Sequence, residues 1–133
     1  MSPRRRTVDA DSAPPAIGPY SHGVVAGGLL FCSGQIALDP ETGDLIDGSA
    51  DDQAARCLEN LAAVCEAAGA SLGDALRLTL YLTDLEEDWS AVNDAYSRFF
   101  AEWAEPPARV AVGVASLPKG ARVEIDAVVA LPG

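Results

Sequence analysis

The stretch Pro106–Leu131, PPARVAVGVASLPKGARVEIDAVVAL, decides how the rest of the chain must fold. It reads as two strands joined by a connection containing Pro and Gly. Side chains alternate faces along a strand, so Val110, Val112 and Val114 cover one face of the first. Arg109 stands on the other, among the small residues Ala111, Gly113 and Ala115. In the second strand Val123, Ile125, Ala127 and Val129 alternate with Arg122, Glu124 and Asp126. A guanidinium and a carboxylate thus lie on strands that otherwise look buried, which is costly unless they are paired or hydrogen-bonded. An ion pair or a solvated edge is the plain reading. The small residues beside Arg109 leave space in front of it, so a cleft for a small anion competes with that reading. Arg is the side chain best shaped for a two-point grip on a carboxylate.

The totals narrow the class. With 133 residues the chain suffices for one domain with an ordinary core. Its formal net charge of -11 is a poor match for phosphate backbones, so no nucleic-acid partner is expected. Hydrophobic residues make up 49%, but much of that is Ala. No segment approaches the roughly 20 apolar residues that span a bilayer, and no membrane association is expected. Three arginines, Arg4–Arg6, precede no apolar run, so no secretory signal is read. Cys57 and Cys65 lie two turns apart on a predicted helix, too far to bridge, and with Cys32 they lack metal-ligand spacing. A reducing cytoplasmic setting is expected. The one histidine, His22, rules out a multi-histidine metal site, and any histidine-assisted nucleophile would need it. No metal and no cofactor are expected.

Residues 1–13 are polar and without period and read as a flexible tail; residues 14–133 read as a single domain. Pro14 to His22, PPAIGPYSH, is extended and irregular. Tyr20 could pack as a half-buried aromatic or line a ligand mouth. Gly23–Ala26 and Leu29–Ile36 read as a hairpin about Gly27-Gly28. Within the second of these strands, Gly34 signals a bulge or a close approach to the backbone, and the Ser33 hydroxyl beside its amide could serve an anion. Asp39–Asp44 is a turn. A helix runs from about residue 51 to 68, with Ser49 as cap and Gly69 past its end. Ala75–Leu82 is a strand with Leu76, Leu78, Leu80 and Leu82 on one face. A second helix is predicted from Trp89 to Trp103, capped by Asp88, with an aromatic stripe of Trp89, Tyr96, Phe99, Phe100 and Trp103 read as core. Asn93 lies at the edge of that stripe. The order β-β-α-β-α-β-β describes a two-layer α+β domain, with both helices on one face of a mixed sheet. The second face also carries apolar and small residues, with Ala111, Gly113 and Ala115 as examples, and such a face is usually covered by oligomerisation.

Five short motifs occur in order: Ala16-Ile17-Gly18-Pro19-Tyr20-Ser21, Ser33-Gly34-Gln35-Ile36, Val92-Asn93-Asp94-Ala95-Tyr96, Pro107-Ala108-Arg109, and Leu117-Pro118-Lys119-Gly120 followed by Val123-Glu124-Ile125. Together they resemble the RidA/YjgF family of reactive-intermediate (enamine/imine) deaminases, over about residues 13–131. The resemblance implies the chorismate-mutase-like α+β fold, with another strand between the last two, and a homotrimer with three intersubunit clefts. It implies that Arg109 grips the substrate carboxylate, helped by the Gly34 amide with Ser33 beside it. It further implies that Glu124 orients the hydrolytic water and shuttles protons, and that the Ala111 carbonyl helps hold that water. Tyr20, from the neighbouring subunit, lines the mouth, and Asn93 is a pocket wall. The implied activity is that of a 2-iminobutanoate/2-iminopropanoate deaminase-like hydrolase, turning a 2-aminoacrylate-type enamine into a 2-keto acid and ammonia. The implied partners are small carboxylate-bearing imines or keto acids and further copies of the chain. A non-catalytic keto-acid-binding trimer is the alternative. An RNA-cleaving role, ascribed to some relatives, fits the acidic balance least. The chain departs from the archetype at Ala111, where Cys is usual, at Val110, where a hydroxyl is frequent, and at His22, where Gln is more usual.

Overall fold

A computed structural model of the chain describes residues 4–103 and 105–133. Its frame is one six-stranded sheet with two α-helices on one face. Strand β1 is Arg6–Val8, β2 Gly23–Ala26, β3 Leu29–Ile36, β4 Ala75–Leu82, β5 Ala108–Gly113 and β6 Val123–Ala130; helix α1 is Ala50–Ala67 and α2 Leu85–Phe100. The strand order is β1-β2-β3-β6-β4-β5. Every neighbouring pair is antiparallel except β4 and β5. Strands β5 and β6 therefore follow one another in sequence yet have β4 between them. Among the described residues, no helix is long and apolar enough to cross a membrane.

Local chemistry explains the elements. Gly27 and Gly28 both take positive φ, 58° and 77°, the geometry of a two-residue turn matched to strand twist. In α1, the Ser49 amide donates to Asp52 Oδ2 at 3.2 Å, and Asp51 and Asp52 sit at the positive end of the helix. Gly69, just past its end, has φ 81°. The stripe Ala54, Cys57, Leu58, Leu61, Val64 and Cys65 is buried, and it meets Leu78, Leu80, Leu82, Val123, Ile125 and Val129 from the sheet. Each fully buried Leu or Ile contributes about 1.5–3 kcal/mol. Asn60 is fully buried and donates through Nδ2 to the Leu38 carbonyl at 3.1 Å and the Ile36 carbonyl at 3.3 Å. It thereby ties α1 to the end of β3.

Four sequence expectations are corrected. The flexible tail was expected to run to residue 13, but residues 6–8 form β1, which pairs with β2, and Val8, Ala10 and Ala13 are buried; residues 1–3 lie outside the described residues. Helix α2 begins four residues before the predicted start: Asp84 is its cap, with Oδ1 accepting from the Glu87 amide at 3.2 Å. Asp88 instead lies inside the helix, buried and paired with Arg122. Trp103 falls outside the helix but still packs against Phe99 and Phe100. Leu76 does not join the buried leucines. The ladder slips between Ala75 and Arg77, which leaves it 48% exposed. Finally, Ala111 and Gly113 are not on the uncovered face. They pair with Leu80 and Leu82, so they share the helix-covered side, and Ala111 packs against the core. Val110 and Val112 face away from the helices, 43% and 37% exposed, with Phe31 at 48%.

Candidate functional site

A cavity of about 490 Å³ opens on the helix-free face, lined by Tyr20, Ile17, Ser33, Gly34, Pro118 and Glu124 among others. A register shift in the sheet and the irregular segment before β2 shape it. The β3–β6 register shifts between Cys32 and Gln35, so Ser33 and Gly34 form the bulge that the sequence suggested. The Glu124 carboxylate then lies directly on the Gly34 Cα, where a Cβ would overlap its Oε2. Glycine is required here for close approach, not for an unusual φ. Ser33 Oγ donates to the Ser21 carbonyl at 2.6 Å, tying the bulge to the Pro14–Ser21 segment. Tyr20 folds back so that its hydroxyl accepts from the Ile17 amide at 3.3 Å. Half-burial holds the Glu124 carboxyl above its usual range, and the neighbouring Asp126 carboxylate adds to the effect. Asp126 in turn accepts from the Tyr81 hydroxyl at 3.0 Å.

Arg109 is elsewhere. It sits on β5 opposite Leu78, on the helix side of the sheet, at the margin where α2 passes. Its Nη1 donates to Asn93 Oδ1 at 2.8 Å. Its guanidinium carbon is 4.9 Å from the ring centres of both Trp89 and Tyr96. Two aromatic faces and one amide fix the plane of the guanidinium, while the residue stays exposed. A second cavity, of about 550 Å³, is lined by Arg109, Asn93, Tyr96, Phe100, Pro106 and Pro107 among others. Ala111 lines a third hollow, with Leu85, Glu86 and Trp89.

The sequence-derived site residues thus fall into two groups. Tyr20, Ser33, Gly34 and Glu124 share one cavity. Arg109 and Asn93 touch each other, and Ala111 lies two residues along the same strand. Within one chain the groups do not meet. Glu124 pairs with Tyr81, whereas Arg109 pairs with Leu78, and these residues of β4 point to opposite faces. The expected clefts lie between subunits, and within one protomer Arg109 stands apart from Gly34 and Glu124. If Tyr20 comes from a neighbour of the protomer that supplies Arg109, then Ser33, Gly34 and Glu124 come with it. The sequence reading missed Trp89 and Tyr96 as partners of Arg109, because their helical spacing marks them as core. It also missed Asp126, two residues from Glu124 on the same face, although strand alternation alone places it there.

The model of the Endoribonuclease L-PSP family matches residues 10–131. The chain belongs to this family, the RidA/YjgF family. Its relatives include RutC family protein PH0854 of Pyrococcus horikoshii, 44% identical over 124 residues, covering 93% of this chain and 96% of that one. The 2-iminobutanoate/2-iminopropanoate deaminase of Capra hircus is 41% identical over 124 residues, covering 93% and 88%. Among solved structures, Escherichia coli TdcF with bound serine matches with a TM-score of 0.89 and 42% identity, over 96% of this chain and 99% of that one. The RidA/YjgF fold expected from the motifs is therefore the observed one, including the strand between β5 and β6.

Proposed function

We propose that the protein is a hydrolytic deaminase of small carboxylate-bearing enamines and imines of the 2-aminoacrylate type, releasing a 2-keto acid and ammonia. It works as a homotrimer in which Arg109 of one copy closes the Glu124 cavity of the next. The observation that carries this reading is the complementarity of the two groups. The charged residue lining the Glu124 cavity is itself an acid, so the cavity alone repels a carboxylate. Arg109 is a fixed, exposed guanidinium on the opposite face of the sheet, with its Nη1 committed to Asn93 and no carboxylate paired to it among the described residues. Each lacks what the other offers. The exposed apolar side chains Phe31, Val110 and Val112 supply the surface on which copies associate.

The chemistry suits these parts. An enamine tautomerises to the imine, water adds to the electrophilic imine carbon, and the resulting carbinolamine expels ammonia. Positioning by Arg109 and one group that passes protons are sufficient. A carboxyl held above its usual range by burial suits Glu124 to that exchange. The Gly34 amide and Ser33 lie beside it to orient the substrate, Tyr20 covers the mouth, and the Ala111 carbonyl helps to hold the water.

The alternative reading is a binder of small carboxylates without turnover, and the serine bound by the TdcF relative favours keeping it in view. The deciding experiment measures ammonia release from freshly generated 2-aminoacrylate by the wild type and by Arg109→Ala. Deamination by the wild type and its loss in a variant of unchanged sedimentation support the enzyme. A wild-type rate equal to the buffer rate, with pyruvate still bound, supports the binder.

A further inference from the structure

The only histidine of the chain is buried, 3% exposed, and neither the motifs nor the proposed chemistry uses it. Its ring spans two main-chain groups of the N-terminal segment. Nδ1 accepts from the Ala10 amide at 2.9 Å, and Nε2 donates to the Pro14 carbonyl at 2.8 Å. An amide N–H can only donate and a carbonyl can only accept, so the contacts assign the neutral tautomer with its proton on Nε2. The segment that the ring holds leads directly into the cavity wall: Pro14, Pro15, Ile17 and Tyr20 all line the cavity of Glu124. This wall has no regular secondary structure between β1 and β2, and Pro15 to Tyr20 are exposed. Its order therefore depends on the ends being pinned. At the near end, the Ser33 amide donates to the His22 carbonyl at 2.9 Å and Ser33 Oγ to the Ser21 carbonyl. At the far end the imidazole is joined by the Ala13 amide, which donates to the Ala10 carbonyl at 3.2 Å, and by the burial of the Ala10 and Ala13 side chains; of these holds only the imidazole can change charge.

We propose that His22 is a positioning residue for the Glu124 cavity: its neutral ring clamps Ala10 and Pro14, and a proton gained on Nδ1 releases Ala10 and loosens the Pro14–Tyr20 wall. A protonated Nδ1 would point its N–H at the N–H of Ala10, so that contact cannot survive. The released ring has another partner at hand. Asp9 Oδ1 is 3.4 Å from Nδ1 and 95% exposed, free to take the new N–H while Ala10 swings away. Among the described residues Asp9 is the charged group within ion-pair reach of the ring. The two arrangements differ by one proton and one exchanged hydrogen bond, which makes the wall a two-state element. The cavity's use rests on the function proposed above; the clamp does not.

Because the chain has one histidine, one pair of imidazole nitrogen signals reports its protonation and tautomer directly. The experiment follows those signals, and the hydrogen exchange of the Ile17, Gly18, Tyr20 and Ser21 amides, from about pH 8 to about pH 5, the range in which imidazoles ordinarily change charge. Exchange is corrected for its intrinsic pH dependence. The wild type should carry its proton on Nε2 at the high end. As Nδ1 gains a proton, exchange at these amides should rise about tenfold, the effect of losing one buried hydrogen bond, while β3 and β6 stay protected. His22→Gln offers the same acceptor and donor without a titrating charge, so it should keep slow exchange throughout. Glu124 titrates in both proteins, so the readout is their difference: as pH falls, pyruvate affinity in the wild type should drop relative to that in His22→Gln. A proton on Nδ1 at the high end, a ring that titrates with no change in exchange, or a ring that stays neutral until the sheet itself opens would each overturn the proposal. If pyruvate binds neither protein while exchange behaves as described, the cavity's function is wrong and the clamp stands.

Discussion

One methyl group added at Gly34 should disable the Glu124 carboxylate and leave the fold intact. The new Cβ of Gly34→Ala would overlap Glu124 Oε2 and come within 3.0 Å of its Cδ and 3.3 Å of its Cγ. Those atoms are the free end of a flexible side chain. Gly34 is not among the glycines of positive φ, so the backbone accepts Ala without strain. The carboxylate should therefore swing away while the strands keep their places. Restricting the unfolded chain by Gly→Ala stabilises by about 0.4–1 kcal/mol, and an off-rotamer Glu costs about 0.5–1.5 kcal/mol. The two nearly cancel, so Tm should move by no more than roughly 2–5 °C. The amide N–H of residue 34 is kept, so the loss falls on Glu124 alone. Removing a positioned acid–base group lowers turnover by about 10²–10⁴-fold. Initial rates of ammonia release from 2-aminoacrylate, measured beside a thermal melt, test both halves. Near wild-type turnover at an unchanged Tm would show that a carboxylate in this place is not used. A large drop in Tm would show that the strand, not the side chain, yields.

Three other perturbations probe separate layers of the molecule. Glu124 has its folded-state pKa raised by burial and by Asp126. The folded state therefore binds more protons than the unfolded state between the ordinary and the raised value, and stability falls as pH rises through that window. Glu124→Gln should thus be more stable than the wild type in urea at neutral pH, with the gap closing as pH drops below the ordinary carboxyl range; a gap that widens on acidification would contradict this sign. Asn60→Leu leaves the Leu38 carbonyl without its partner and should cost about 1–3 kcal/mol, read from the shift of the urea midpoint at unchanged slope; a neutral substitution would mean that water or a backbone shift replaces the amide. Val112→Glu places a charge on the uncovered sheet face and, on the proposed assembly, should shift sedimentation from trimer to monomer; an unaltered trimer would move the interface elsewhere.

Much of the fold was legible because its signals are local. The Gly27-Gly28 turn, the cap and stop of α1 at Ser49 and Gly69, and the alternation of β6 each depend on neighbours in sequence. What was misread depends on distant partners. Asp88 has the composition of a helix cap, and only Arg122, 34 residues away, makes it a buried ion-pair member. Arg6-Thr7-Val8 has no strand pattern of its own and becomes a strand because β2 offers a free edge. Leu76 fits the alternation of β4 but sits at a slip in the ladder that no local residue announces. The candidate site divides in the same way. The bulge at Gly34 and the presence of Arg109 and Glu124 could be read from residue types. Their separation onto opposite faces could not, because it follows from β4 lying between β5 and β6, and that order is a property of the whole sheet.

On the proposed assembly, that separation lets two crippled proteins repair one another. A copy with Arg109→Ala still carries a sound Glu124, and a copy with Glu124→Gln still carries a sound Arg109. Unfolded together in equal amounts and refolded as mixed assemblies, they would regenerate about a quarter of fully furnished clefts by chance pairing. Each parent alone would have none. Inheritance would read the same geometry: a cell bearing both defective alleles could thrive where neither sufficed.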